Sequence, residues 1–331
     1  MKSFCIAVPR EKAELVRHEL MEGQLLRTDL KIRCDENCVY LPVAREVHVN
    51  EGVLKKMDFK LMEKKQNFRD ILASKISVDR TISSFDVIGD IAIIRIPSEL
   101  LKYKEEIGDA ILSTNKNIKV VCMDNGVRDD YRIRDLKVIA GEERTETIHS
   151  EYGAKIMVDV AKVYYSPRLA TERKRTAGCV KPGDVVIDMF AGVAPFSVII
   201  AKMAKPSKVY AIDVNPYAVK YANINVKRNG VDDIVEVMEG DAMDIIPSLG
   251  TADHIIMNLP HRSYEFFPTA VNAGKSIHYY EIIEKNKIEE RLDWLRNEAK
   301  KKEKKAEIKN WRVVGSYSPR EVKIGVDLLI C

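Results

Sequence analysis

The alternation of apolar and polar positions over the first sixty residues predicts a small domain of mixed helices and strands. Apolar runs at 4–8 and 39–43 favour two strands, and residues 11–21 place their apolar side chains near helical spacing. Residues 61–70 are polar and have no clear period, so we interpret them as a linker. The first predicted domain therefore covers residues 1–62.

A second α+β domain is predicted over residues 63–153, and a Gly-Asp turn is its clearest signal. Gly89 and Asp90 separate two apolar runs, which is typical of a β-hairpin. The predicted elements are hairpin strands over 85–88 and 91–96, a helix over 99–112, and strands over 118–123, 131–140, 146–149 and 155–163.

In the third predicted domain, residues 154–331, strands alternate with helices. Pro195 suits the first turn of one helix, and Gly230 suits the end of another. Strands are predicted over 185–190, 209–212, 234–238, 254–257 and 276–282, helices over 195–204, 217–229 and 288–305, and a closing hairpin over 312–317 and 322–330. This alternation predicts an α/β fold with a doubly wound, mostly parallel sheet and a C-terminal antiparallel hairpin.

Composition limits the class of protein. At about 150 residues per domain, the 331-residue chain is long enough for two or three domains, and its 46% apolar content supplies their cores. The 54 basic and 50 acidic residues leave a net charge of +4, which permits nucleic-acid binding without proving it. The sequence has no apolar run long enough for a membrane span, so none is expected.

The N-terminus and the cysteines predict a cytoplasmic protein. After a short apolar stretch the N-terminus turns charged, and it lacks the features of a secretion signal. The 6 cysteines are scattered, which suits a reducing compartment. Cys34 and Cys38 are close together but have no second pair, so we expect no metal site.

Small residues and carboxylates follow the predicted strands, at the edge where a doubly wound sheet binds its ligand. Asp188 lies near the end of the first strand of the third predicted domain, and Gly192 lets the backbone turn sharply toward a ligand. Asp213, at the end of the next strand, suits the two hydroxyls of a ribose. Because the G-x-G-x-x-G pattern of nicotinamide enzymes is absent, another adenosine-containing cofactor is favoured.

The third and fourth strands also end in polar side chains. Asp241 is placed to accept a hydrogen bond from an adenine amino group. Asn258, followed by Leu259 and Pro260, offers an amide on a stiffened turn that can hold a planar base beside the cofactor. Each signal is weak alone, but four in register at successive strand ends predict one binding site.

Taken together, these motifs resemble class I S-adenosylmethionine-dependent methyltransferases, which have a Rossmann-like sheet. Further motifs are similar to the archaeal and eukaryotic tRNA guanine-N1 methyltransferases, which modify the guanosine 3′ of the anticodon: these are residues 131–136, 140–142, 147–149, 163–173 and 316–320. The resemblance implies S-adenosylmethionine as cofactor, a catalytic domain over 154–331 and an adjoining RNA-binding domain over 63–153. It also implies that residues 1–62 grip the tRNA elbow.

The resemblance assigns the chemistry to particular residues. Guanine N1 carries a proton at neutral pH, so methylation needs a base near this proton and a donor at O6. By resemblance, Glu172 is the general base, Arg132 faces O6, and Asn258 hydrogen-bonds the flipped base. Tyr164 and Pro260 are expected to pack around that base.

The remaining implied contacts divide between the tRNA and the cofactor. Arg168, Arg173 and His261 are expected on the tRNA side, where Arg168 contacts phosphate or supports Glu172. The expected cofactor residues are Asp188, Phe190, Gly192, Val193, Asp213, Asp241 and Asn258.

Two positions depart from the family pattern. Ala194 replaces the second glycine of the usual Phe-Ala-Gly-Val-Gly-Pro-Phe loop, and it is strained if that position needs a positive φ. His261 follows Asn-Leu-Pro where relatives commonly have lysine.

Two alternatives stay open, namely a methyltransferase of a wyosine precursor at the same nucleotide and an inactive tRNA-binding protein. We expect a monomer whose partner is tRNA, contacted at the anticodon stem-loop and the elbow.

Overall fold

A computed structural model describes residues 1–62, 67–75, 84–128 and 133–331 of the chain. They form two compact units, Met1–Asn67 and Phe68–Cys331. The further division of the second unit near residue 153 stays a prediction. Within the ranges that the structure describes, no helix is long and apolar enough to cross a membrane.

The first unit is an antiparallel four-stranded sheet covered by one helix. Its elements are β1 (Lys2–Pro9), α1 (Ala13–Glu22), β2 (Arg33–Cys34), β3 (Cys38–Val43) and β4 (Val53–Asp58), with strand order β2-β3-β1-β4. Ile6 and Val8 of the central strand β1 pack with Val16 and Leu20 of α1. The helical spacing of Val16 and Leu20 therefore gives α1 its buried face.

The second unit begins with a smaller mixed sheet in the order β5-β6-β7-β8. Its elements are α2 (Phe68–Lys75), β5 (Asp86–Ile88), β6 (Ile91–Ile94), α3 (Lys104–Thr114), β7 (Val120–Arg128) and β8 (Ile133–Gly141). The predicted hairpin is confirmed, since β5 and β6 pair antiparallel and Gly89 turns between them with φ +57°. The linker predicted over 61–70 is wrong at its end, because Phe68 begins α2 and is buried against Ala92 and Ile94.

A seven-stranded sheet in the order β13-β12-β11-β14-β15-β17-β16 forms the centre of the second unit. The elements that lead to it and build it are β9 (Glu146–Glu151), β10 (Ala154–Asp159), α4 (Ala170–Ala177), β11 (Val185–Asp188), α5 (Pro195–Ala204), β12 (Lys208–Asp213), α6 (Pro216–Arg228), β13 (Val235–Glu239), α7 (Ala242–Leu249), β14 (Ala252–Met257), α8 (Ser263–Ala273), β15 (Gly274–Glu284), α9 (Ile288–Lys300), β16 (Ala306–Ser316) and β17 (Glu321–Ile330). Strands β11 to β15 are parallel, and β17 pairs antiparallel with both β15 and β16. The predicted doubly wound sheet with a C-terminal hairpin is confirmed.

Helices cover both faces of this sheet. In β11, Val186 joins a buried cluster with residues of α5 and α6, while the next residue, Ile187, joins a cluster with residues of α8 and α9. Successive strand residues point to opposite faces, which is why the strand is apolar throughout. Polar side chains are therefore placed mainly at the strand ends. The carboxyl ends of the parallel strands meet at one edge of the sheet.

Helix α4 was not assigned from the sequence. Its eight residues, Ala-Thr-Glu-Arg-Lys-Arg-Thr-Ala, have no apolar stripe, yet Glu172 and Arg173 are buried. These two charged side chains are buried because they form ion pairs within the unit.

Candidate active site

A cavity of about 440 Å³ lies at the carboxyl edge of the parallel strands, among the loops that follow β11, β12, β13 and β14. Eight residues singled out from the sequence line it: Tyr164, Arg173, Phe190, Gly192, Asp213, Asp241, Asn258 and Pro260. Five others do not line it, namely Arg168, Glu172, Asp188, Val193 and His261. Arg132 lies outside the described residues.

The loop after β11 has two residues in the left-handed region. Gly192 has φ +55° and Ala194 has φ +61°, and Pro195 then begins α5. The N–H of Ala194 donates to the carbonyl of Ala191 at 2.8 Å, which closes the turn. The sequence expectation is confirmed, because Ala194 occupies a backbone conformation that favours glycine.

Asp213, at the end of β12, organises the same loop. Its Oδ2 accepts a hydrogen bond from the N–H of Gly192 at 2.7 Å, and its Oδ1 accepts from the N–H of Asn215 at 2.9 Å. Burial raises the pKa of Asp213, although these backbone donors oppose the increase. Each carboxylate oxygen keeps a second lone pair, so Asp213 can accept from ribose hydroxyls while it holds the loop.

Asp188, at the end of β11, is fully buried and does not line the cavity. Its Oδ2 accepts a hydrogen bond from the Ser197 hydroxyl at 2.8 Å, whereas Oδ1 has no hydrogen-bond partner. Burial raises the pKa of Asp188 to about 7; the Ser197 hydrogen bond opposes this increase and the Asp213 charge adds to it. An unpaired buried carboxylate oxygen is costly in free energy.

Asp241 lines the cavity and caps the N-terminus of α7. Its side chain accepts a hydrogen bond from the N–H of Met243 at 2.8 Å, the standard contact of an N-terminal capping residue. The Asp241 side chain thus combines a helix cap with a position beside the predicted adenine site. A cofactor with a ribose and an adenine fits this set of carboxylates at successive strand ends.

Glu172 lies in α4, outside the cavity, at the centre of a charged cluster. Arg312 of β16 donates to both of its carboxylate oxygens, with Nε 2.9 Å from Oε1. Arg175, one turn along α4, donates through Nε to Oε2 at 2.9 Å, and the Tyr280 hydroxyl donates to the same oxygen at 3.0 Å. Burial would raise the pKa of Glu172, but the two guanidinium groups outweigh burial and lower it.

Asp327 of β17 balances the two arginines. Its Oδ2 accepts from Arg312 Nη1 at 2.7 Å and from Arg175 Nη1 at 3.0 Å. Its Oδ1 lies 2.8 Å from Nδ1 of the buried His278. Burial opposes the charged form of Asp327, yet His278 and the two arginines lower its pKa to about 2.

Asn258 connects the cavity with this cluster through Lys323. The ammonium of Lys323 donates to Asn258 Oδ1 at 2.8 Å and lies 5.6 Å from the centre of the Tyr280 ring. Tyr280 in turn hydrogen-bonds Glu172. A continuous series of contacts thus joins Asn258, beside the cofactor cavity, to Glu172.

The charged residues of β17 were missed in the sequence, although a signal is present. Lys323, Gly325 and Asp327 alternate along the strand, so they share one face. A Cβ at Gly325 would lie 3.1 Å from both Arg312 and the Tyr280 ring. The glycine between two charged residues therefore leaves the space in which Arg312 and Tyr280 meet Glu172.

The structure places the predicted tRNA contacts in different settings. Arg173 is buried and makes a bidentate ion pair with Glu151, with Nε–Oε1 at 2.7 Å. Arg168 is exposed and donates twice to Asp86 Oδ1, at 2.8 and 3.0 Å. His261 is exposed and contacts the ring of Tyr317 edge-on. Of these three, Arg168 and His261 are accessible to RNA, while Arg173 supports the loop through its bond to the Ser166 carbonyl at 3.1 Å.

Comparison with known proteins gives family matches along most of the chain. Residues 5–51 match the tRNA methyltransferase 5 N-terminal domain, residues 68–145 the TYW2 N-terminal domain, and residues 147–308 the TRM5/TYW2 methyltransferase domain. The sheet order and the strand-end cavity define a class I S-adenosylmethionine-dependent methyltransferase. The chain belongs to the TRM5/TYW2 family of tRNA methyltransferases, as its sequence motifs predicted.

Individual relatives support this assignment over the full length. The tRNA (guanine(37)-N(1))-methyltransferase Trm5b of Pyrococcus abyssi is 40% identical over 99% of each chain, and its crystal structure superimposes with a TM-score of 0.75 over the same shares. A complex of aTrm5 with tRNALeu matches with a TM-score of 0.71 at 33% identity, over 99% of this chain and 100% of the other. The tRNA 4-demethylwyosine(37)-methyltransferase Taw21 of Saccharolobus solfataricus is 35% identical over 73% of this chain and 92% of its own.

Proposed function

We propose that this enzyme transfers the methyl group of S-adenosylmethionine to N1 of the guanosine 3′ of the anticodon in tRNA. The observation that carries the proposal is the contact series from Asn258, in the cofactor cavity, through Lys323 and Tyr280 to Glu172. It supplies a base-binding amide and a carboxylate beside one cofactor site, which N1 methylation needs.

In the proposed mechanism the protein binds the flipped base and removes one proton. Asn258 orients the guanine, with Tyr164 and Pro260 at the cavity wall packing around it. Glu172 accepts the N1 proton as N1 forms a bond to the methyl group, and S-adenosylhomocysteine is the leaving group. The bound cofactor supplies an electrophilic methyl on a sulfonium. Arg132 is proposed to donate to O6 as negative charge develops there.

The cofactor is proposed to lie along the loops after β11, β12 and β13. Asp213 accepts from the ribose hydroxyls, Asp241 from the adenine amino group, and Gly192 gives the backbone room to approach the cofactor. Phe190 and Val193 support this loop, and Asp188 supports it from outside the cavity through its hydrogen bond with Ser197.

Plain guanosine is favoured over a wyosine precursor as the substrate. The Taw21 relative, which is named for 4-demethylwyosine, matches over 73% of this chain, whereas the guanosine-37 enzyme of Pyrococcus abyssi matches over 99%. The chain also keeps Asn258, Leu259 and Pro260, the turn that is predicted to hold the flipped guanine. A tRNA carrying the tricyclic precursor is the substrate that tests the alternative.

The test is methyl transfer from labelled S-adenosylmethionine to an unmodified tRNA transcript with guanosine 3′ of the anticodon. A transcript with adenosine at that nucleotide is the control, and primer extension then locates the methyl group. We expect incorporation with a polymerase stop at this nucleotide, because an N1 methyl blocks Watson–Crick pairing. Incorporation without a stop would place the methyl on another atom or nucleotide and refute the proposal.

The first unit, residues 1–67, is proposed to bind the tRNA elbow by shape and phosphate contacts. The support is its match to the tRNA methyltransferase 5 N-terminal domain, over residues 5–51. Attachment of the two units to one tRNA raises the effective concentration of the catalytic unit at the anticodon stem-loop. We further propose that the enzyme acts as a monomer in the cytoplasm, which light scattering and fractionation test.

A further inference from the structure

Lys323 contacts Asn258 in a way that fixes the direction of the amide. The distance from Lys323 Nζ to Asn258 Oδ1 is 2.8 Å. An ammonium has three donors and no acceptor, so it binds the oxygen of an amide and never its NH2 group. Because Oδ1 and Nδ2 are on the same carbon, Lys323 turns the NH2 group of Asn258 away from itself.

Strand pairing holds Lys323 in place. It lies on β17 opposite Ile282 of β15 and Gly315 of β16, so it is flanked on both sides by paired strands. Lys323 is half-buried, and its ammonium also lies over the ring of the buried Tyr280. A cation held at a ring face and at an amide oxygen has fewer rotamers available than an exposed lysine.

The orientation of this amide decides which base edge Asn258 can bind. Guanine presents the acceptors O6 and N7 on its major-groove edge, whereas adenine replaces O6 by an amino donor. An amide that presents its NH2 group at position 6 of the base matches O6 of guanine, but at the same position its donor opposes the adenine amino group. An amide that is free to rotate would accept either base.

We propose that Lys323 is a positioning residue that sets base specificity by holding Asn258 as a hydrogen-bond donor to guanine. The inference rests on the proposed function, in which Asn258 contacts the target base. The role proposed for Lys323 runs through Asn258, and a double-mutant cycle of the two residues tests this dependence.

The experiment compares Lys323→Met, Lys323→Arg, Asn258→Ala and the double variant Asn258→Ala/Lys323→Met in the full chain. Methionine keeps the aliphatic length of lysine but loses the donors, while arginine keeps a cationic donor. Rates and binding are measured with two tRNA transcripts, one with guanosine and one with adenosine at the target nucleotide. Binding is measured with S-adenosylhomocysteine present, so base preference is read independently of methylation.

We expect Lys323→Met to lower kcat/KM for the guanosine transcript about 10- to 100-fold, the range for a lost hydrogen bond to a charged group. The preference of Lys323→Met for binding the guanosine transcript over the adenosine transcript should fall, while its affinity for the cofactor should stay unchanged. Lys323→Arg should keep most of the wild-type preference. In the Asn258→Ala background, Lys323→Met should add little.

Three outcomes overturn the inference. They are an unchanged base preference in Lys323→Met, losses that multiply in the double variant, and an equal loss of cofactor affinity, which would indicate a general structural role. The proposed function fails on a different result, namely absence of methylation of the guanosine transcript by the wild-type enzyme. In that event the binding preference still decides whether Lys323 orients Asn258.

Discussion

The guanidinium of Arg312 binds both carboxylate oxygens of Glu172, although the two residues are 140 positions apart in the chain. Arg175 donates to the same carboxylate, and Asp327 balances the two positive charges. The proposed base is therefore fixed in position by groups that also lower its pKa. Position and proton affinity are set by the same contacts, and both can be changed by mutation.

Glu172→Gln should lower kcat about 100-fold or more, because glutamine keeps the shape of the side chain but cannot accept the N1 proton. The affinity for S-adenosylmethionine should stay close to wild type, since Glu172 does not line the cofactor cavity. Single-turnover methylation and calorimetry measure the two quantities. Glu307→Gln, in an exposed pair with Lys309 on β16, is the matched control and should have no effect. A near-native rate would remove Glu172 from the mechanism.

Arg312→Met should raise the pKa of Glu172, because burial then acts against only one remaining guanidinium. The lowered pKa of Glu172 keeps this base ionised down to low pH in the wild type. The pH at which kcat/KM falls off on the acid side is therefore low. In the variant this acid limb should move to higher pH, while kcat falls through loss of positioning. The pH profile of kcat/KM measures the shift. Arg296→Met, which removes an exposed surface pair with Asp293, should leave the profile unchanged.

The strand ends were predictable from sequence, whereas the Glu172 cluster was not. Asp213, Asp241 and Asn258 each come at or just after the end of a predicted strand, so local pattern and sheet topology suffice to bring them together. The resemblance to a known family added the role of Glu172. No local pattern indicates that Arg312 and Asp327 will contact Glu172, because these contacts depend on the register of β16 against β17 and on the packing of α4.

Helix α4 illustrates the same limit. Its residues are mostly polar, and a polar segment normally indicates exposure. Glu172 and Arg173 are buried because the partners of their charges come from other segments: Glu151 for Arg173, and Arg312 for Glu172. Periodicity reports how apolar side chains are distributed, and it carries no information about ion pairs between distant segments.

Ala194→Gly should stabilise the protein by a few tenths to about 1 kcal/mol. Relief of the left-handed conformation at φ +61° is worth roughly 1–2 kcal/mol, and loss of one buried methyl group costs about 0.8 kcal/mol. Thermal unfolding measures the net change. Ala191→Gly, in the same buried loop and outside the left-handed region, is the matched control and should destabilise. A destabilised Ala194→Gly variant would show that the methyl packing outweighs the strain.

Deletion of residues 1–67 should weaken tRNA binding and lower kcat/KM for full-length tRNA, because the proposed elbow contact is removed. An isolated anticodon stem-loop lacks the elbow, so its kcat/KM should be the same for the truncated and the full-length enzyme. The ratio of kcat/KM for full-length tRNA to kcat/KM for the stem-loop is measured for both enzymes. This ratio separates loss of the elbow contact from damage to the catalytic unit. Equal losses on both substrates would contradict an elbow-binding role.

Asp188→Asn should make the stability of the protein less dependent on pH. The pKa of Asp188 is raised from 3.8 to about 7, so between these values the native state holds a proton that the unfolded state has released. Wild-type stability therefore falls as pH rises through this window, by roughly 2–4 kcal/mol in total. Asparagine carries no charge at any of these pH values, so the variant should lack this slope.

Urea unfolding of the cofactor-free protein at pH 5 and pH 8 measures the slope for wild type and Asp188→Asn. The exposed Asp232 provides the control Asp232→Asn, which should retain the wild-type slope. A variant with wild-type slope would mean that Asp188 stays ionised in the native state and that its buried charge is balanced by other groups.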